Sequence, residues 1–228
     1  MSVKNAKLLY NAAEEGNTTE VGRLTLRCDR AANDEALDRA ALNGYVDCVA
    51  LLLPQSSLKG KRDGLVRAAS QGHLECVQLL IGNNDASTAL LWAARGGHTP
   101  CVRFLLEYVD VTHKEHASSS LRFSPLAWAA SNGHADCVRI LVQVSPLEHI
   151  NHGLLCALDH GGMECMKILY PHSDVDAVEE ELREGDDEPN AIIFERMEQL
   201  KCWAQRERLT CSVKNSQASK VLTPSRKI

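Results

Sequence analysis

No stretch of the sequence approaches the roughly 18–20 consecutive apolar residues of a membrane-spanning helix. The opening MSVKNAKLLYNAAEEGN also lacks the apolar core and cleavage site of a secretory signal. No membrane contact is expected, and the expected compartment is the cytoplasm, with the nucleus and delivery into a host cell as further readings. A basic excess is missing too: Lys+Arg number 25 against Asp+Glu 30, a net charge of −5. That balance removes the electrostatic footprint of a nucleic-acid binder. None of the nine cysteines pairs as C-x-x-C, and their odd number in a chain of 228 residues speaks against a disulfide framework. They are expected to be reduced thiols. Nucleophile elbow, P-loop, H-E-x-x-H and Gly-rich dinucleotide turn are all lacking, so no cofactor is expected and catalysis has no motif to rest on.

What the sequence does hold is repetition. LDRAALNGYVDCVALLL (37–53), LVRAASQGHLECVQLLI (65–81), LLWAARGGHTPCVRFLL (90–106), LAWAASNGHADCVRILV (126–142) and LLCALDHGGMECMKILY (154–170) share the template L-x-x-A-A-x-x-G-H-x-x-C-V-x-x-L-L. A weaker copy, LYNAAEEGNTTEVGRLTL (9–26), comes first. Apolar residues before the glycine fall at i, i+3 and i+4, and those after it again make one stripe, so each copy predicts a helix, a tight turn and a second helix. Gly44, Gly72, Gly97, Gly133 and Gly161 stand where the first helix must end in a left-handed residue, which glycine adopts without steric cost.

The SPLAWAASNGH stretch (124–134) and its sister copies resemble the ankyrin-repeat family, over roughly residues 8–170. The resemblance implies an all-α solenoid of six helix-turn-helix units, near 8–28, 36–55, 64–83, 88–110, 124–145 and 153–172, within a domain spanning 1–173. Most units fall short of the roughly 33-residue family repeat. Only the segment from Leu106 to Leu126 is long enough for a full projecting finger. The family usually has Val or Ile where Cys48, Cys76, Cys101, Cys137 and Cys165 stand, so these thiols are expected to pack as small hydrophobes. His73 with Cys76, His98 with Cys101 and His134 with Cys137 have a spacing that zinc can use. The pairing breaks at Tyr45 and Gly162, however, and no further ligand cluster joins it, so no metal is expected. The histidines are read as caps or braces of the turns.

A stack of this kind recognises another protein through side chains the fold does not need, as adaptor, scaffold or inhibitor, and a monomer is expected. The candidate binding residues are Arg67, Gln71, Trp92, Arg95, Phe123, Trp128, Asn132 and His160. Trp92 and Trp128 fit either the core or the groove; in the groove they join Phe123, Arg67 and Arg95 in an aromatic and arginine patch, the composition that interface centres favour. The alternatives are an enzyme with Cys156 or Cys202 as nucleophile, for which the sequence offers no base, and binding through the acidic stretch that follows the repeats. That stretch, DVDAVEEELREGDDE (174–188), and the amphipathic PNAIIFERMEQLKCWAQRERL (189–209), with Ile193, Met197, Leu200 and Trp203 on one face, read as a divergent unit capping the stack over 174–209. Residues 210–228 are basic and poor in apolar groups, and disorder is expected from Ser212. The tail's TPSRK resembles the substrate pattern of proline-directed kinases at Thr223, and KGKRDGLV (59–66) is faintly like a kinase docking peptide. A protein kinase is therefore one candidate partner.

Overall fold

Six helix pairs follow one another along the repeated region of the computed structural model, which describes residues 3–82, 86–109, 124–160, 162–184 and 191–221. The first helices are α1 (Val3–Glu14), α3 (Arg30–Asn43), α5 (Leu58–Gln71), α7 (Ala86–Arg95), α9 (Pro125–Ser131) and α11 (Leu147–His160). Their partners are α2 (Thr18–Leu24), α4 (Val46–Leu52), α6 (Leu74–Leu80), α8 (Thr99–Leu105), α10 (Ala135–Leu141) and α12 (Met163–Leu169). Each first helix packs on the next first helix and each second on the next second, so the units form a two-layer solenoid with no strand among the described residues. The paired alanines make the close approach possible: Ala40, Ala41, Ala68, Ala69, Ala93 and Ala94 are all fully buried. Leu37, Leu65, Leu90, Leu126 and Leu154 fill the space between the layers.

Where a finger would project, the chain instead extends the first helix. α3, α5 and α11 run for 14 residues each. A 3-10 turn, Thr25–Arg27 or Leu53–Gln55, leads directly into an N-cap, Asp29 or Ser57, whose side chain accepts from the amide three residues on. Polar side chains fasten these short links. Buried Asn33 accepts from the Thr25 hydroxyl at 2.8 Å and donates to the Thr25 and Asp29 carbonyls. Asp34 accepts from the Ser57 amide at 2.7 Å and from its hydroxyl at 2.6 Å.

The same latch recurs at the end of the stack. Asn151, on α11, accepts from the Asp174 amide at 2.8 Å, and Asp174 in turn caps α13 (Val175–Glu184) by accepting from the Ala177 amide. Asn151 therefore does for α13 what Asp34 does for α5. α13 packs on α11, and α14 (Ala191–Val221) packs on both α11 and α12. Val178, Met197 and Leu200 are buried, with Ile193 and Trp203 half-buried beside them. Glu179 on α13 ties to Lys201 at 2.5 Å and to Arg183 at 2.9 Å, and the Lys201 ammonium holds its carboxyl below the usual carboxylate range. Part of the acidic stretch is thus spent inside the fold. α14 continues through Val221, past the Ser212 at which disorder was expected. Between 212 and 221 no glycine or proline interrupts the helix, and Lys, Gln and Ala favour it.

Candidate recognition site

Arg95 is the last residue of α7, and its exposed guanidinium lies between two indoles, 4.9 Å from the Trp92 ring centre and 4.6 Å from that of Trp128 on α9. The template sets this arrangement: Trp92 and Trp128 hold the same position on successive first helices, and Arg95 follows three residues after Trp92, on the same helix face. Both rings are half-buried, so neither the core nor the groove has them alone. Among the described residues the buried Trp128 Nε1–H has no hydrogen-bond partner. A cation between two π-faces is stabilised by about 0.5–1 kcal/mol per face at an exposed site.

Of the other candidate residues, Arg67 donates from Nε to Asp38 at 3.0 Å, a partner on α3 that the sequence reading did not single out. Together with Trp92, Val66 and Thr88 they border a groove of about 700 Å³ along α3, α5 and α7. Gln71 is exposed and stands one position before the Gly72 turn. Asn132 does not reach toward the tryptophans' exposed side: its amide turns back to donate to the Trp128 carbonyl at 2.8 Å. His160, exposed at the end of α11, bonds the Cys156 carbonyl through Nδ1 at 3.0 Å and stands apart in the sixth unit. Phe123, the finger centre and Thr223 lie outside the described residues. The candidate kinase-docking stretch 59–66 is part of α5, with Leu65 fully buried, so it is not available as an extended peptide.

The template histidines brace the turn of the preceding unit rather than their own. His73 Nε2 bonds the Leu42 carbonyl at 3.0 Å, His98 the Ser70 carbonyl at 2.9 Å and His134 the Arg95 carbonyl at 2.9 Å. In each case that carbonyl lies two residues before the turn glycine, and the ring rests on the glycine itself. Arg196 of α14 serves the last unit in the same way, donating to the carbonyls of Leu158 and Asp159.

Residues 65–153 match the model for ankyrin repeats, in three copies. The human ASB11 ankyrin repeat domain superposes with a TM-score of 0.60 at 22% sequence identity, covering 72% of this chain and 82% of that one. The fold is an ankyrin-repeat solenoid. No curated protein matches the sequence. The structure extends the repeat architecture beyond the matched residues, to α1–α4 before them and α11–α12 after. Ankyrin repeats serve as protein–protein interaction modules, typically non-enzymatic.

Within these ankyrin units the five template cysteines form a buried seam, each no more than 1% exposed. Burial pushes the thiols of Cys76, Cys101 and Cys165 up to about 11, with neighbouring negative charge adding to it. Each histidine ring leaves for the neighbouring turn while the cysteine three residues on turns into the seam, and no group of three His, Cys, Asp or Glu side chains gathers among the described residues. Outside the seam, Cys156 Sγ lies 3.5 Å from His152 Nε2, so the imidazole that the sequence reading missed stands one helical turn before it.

A labelling experiment follows. Folding holds the seam protons above the ordinary thiol value, so thiolate is scarce and the stability gained is lost as pH rises from 9 toward 11. With N-ethylmaleimide at pH 8, exposed Cys202 is expected to react first and Cys48, Cys76, Cys101, Cys137 and Cys165 only after unfolding. Peptide mapping of timed samples checks this, and rapid native labelling of Cys76 contradicts a closed seam.

Proposed function

We propose that this protein is a recognition module that binds another protein through its first-helix face, with the Trp92–Arg95–Trp128 cluster at the centre of the contact. The observation that carries the reading is the exposed guanidinium held between two half-buried indoles. Packing alone does not require an arginine at that position, where the other units carry Glu14, Leu42, Ser70, Ser131 or Asp159. The two rings fix the guanidinium in advance, so little rotamer entropy remains to be lost when a partner's carboxylate or carbonyl meets it. The groove bordered by Arg67 and Asp38 continues the surface toward the N-terminal units. Gln71 and Asn132 would form its rim, with His160 a separate contact in the sixth unit, and the role of adaptor, scaffold or inhibitor follows from the partner.

Arg95→Ala is expected to weaken binding of the native partner by about thirtyfold, the equivalent of about 2 kcal/mol, without shifting the thermal midpoint. Glu180→Ala, at an exposed site on α13, serves as the control. Calorimetric titration beside thermal melts separates loss of contact from loss of folding. If Arg95→Ala binds normally while Glu180→Ala does not, recognition belongs to the acidic segment instead.

A further inference from the structure

Four junctions between units are plugged by a ring. Tyr45, His73, His98 and His134 lie against Gly16, Gly44, Gly72 and Gly97, all with φ between 72° and 80°, and a Cβ built on any of these glycines runs into the ring. At the fifth junction the turn is the same, with Gly133 at φ 76°, but the position that should supply the ring is Gly162. Among the described residues nothing lies within 4 Å of where a Gly133 Cβ would stand.

The backbone that would carry the ring is nonetheless in place. Gly162 has φ −76° and ψ 74°, against −80° and 81° at His73, −83° and 75° at His98 and −83° and 74° at His134. A Cβ on Gly162 would make only ordinary contacts, with the Ala130 carbonyl at 3.6 Å and Cys165 at 3.6–3.7 Å. The notch has not collapsed, because α9 and α11 are held by their own packing, with Gly153 set against Leu126. Among the described residues no ring is bonded to the Ser131 carbonyl, counterpart of those that bond the three histidines, and the rim at Asn132 and Gly133 is exposed.

We infer that the notch between Gly133 and Gly162 is a docking site for an imidazole ring presented by a partner protein, its N–H donating to the Ser131 carbonyl. The chain's own chemistry names the occupant, since three of four equivalent notches are filled by imidazole with that hydrogen bond. Only the source of the ring rests on the protein-recognition reading; the notch itself is tested without a partner.

The probe is 4-methylimidazole, titrated at pH 8 into the ¹⁵N-labelled full chain. The amides of Asn132 and Gly133 are expected to shift saturably, with a dissociation constant on the order of millimolar for so small a ligand. Gly162→His supplies the missing ring: it is expected to abolish the response and to raise the thermal midpoint by about 2–4 °C. Gly162→Ala leaves the ring space open and keeps the response, which decides the matter should the histidine variant fail to fold. Arg95→Ala keeps it too, so failure of the groove and failure of the notch are read separately. No saturable shift in the wild type, or an undiminished one in a folded Gly162→His, overturns the inference.

Discussion

Replacing Gly72 with valine is expected to lower the unfolding free energy by about 2–4 kcal/mol, a large fraction of a typical domain's stability. Two costs add. Gly72 ends α5 at φ 80°, ψ 19°, where a β-branched residue is strained by about 1–3 kcal/mol. Its Cβ would also occupy the space of the His98 ring, so the imidazole must leave and the bond to the Ser70 carbonyl is lost, about 1 kcal/mol more. Urea unfolding measures the total. A double-mutant cycle with His98→Ala divides it, because without the ring only the backbone strain remains. A total below about 1 kcal/mol would mean that the turn relaxes freely.

Leu90→Ala and Leu9→Ala are chemically identical losses at equally buried sites, and each is expected to cost about 2–5 kcal/mol locally. Their consequences should differ. Among the described residues the main contacts of each unit are with its neighbours, so stability is close to a sum of unit and junction contributions. Leu90 sits in the fourth unit, with neighbours on both sides, and its loss is expected to weaken the stack on either side of it. Leu9 belongs to the first unit, which can fray alone. Hydrogen exchange should therefore show α1 and α2 opening in Leu9→Ala while α5–α10 keep their protection, and a general loss of protection in Leu90→Ala. Equal global loss in both variants would mean that the solenoid behaves as a single cooperative block.

The units and their turns were legible because their signals are local and repeated: a glycine at the end of each first helix, alanine pairs and one apolar stripe per helix. The links were not. Asp34 and Asn151 hold amides 23 residues away, and Arg196 holds carbonyls 37 and 38 residues back, distances at which no periodicity marks a polar side chain for its partner. Arg95 with Trp92 and Trp128 was read as a group, because template alignment places equivalent positions side by side; that the guanidinium lies between the rings was not, since alignment carries no orientation. Asn132 was placed in the same patch by that alignment, yet a bond to its own helix was within reach and turned it back. Arg67 was read as a contact residue, but Asp38, one position before the equivalent Arg39, already engages it. The helix beyond Ser212 is not legible from apolar content, because helix propensity needs no buried face.

The near absence of fingers also bears on how the chain finds its structure. With 3-10 turns in their place, the first three units are joined by a few residues, and among the described residues the His134 bond to the Arg95 carbonyl spans 39 positions. Loop closure grows costly only slowly with length, but contacts this local mean that no distant ends need to meet before something is gained. Any unit can serve as a start, and its neighbours add on in either direction. The step from α8 to α9 crosses the longest connection, so the two parts of the solenoid are set to assemble on either side of it and join there last.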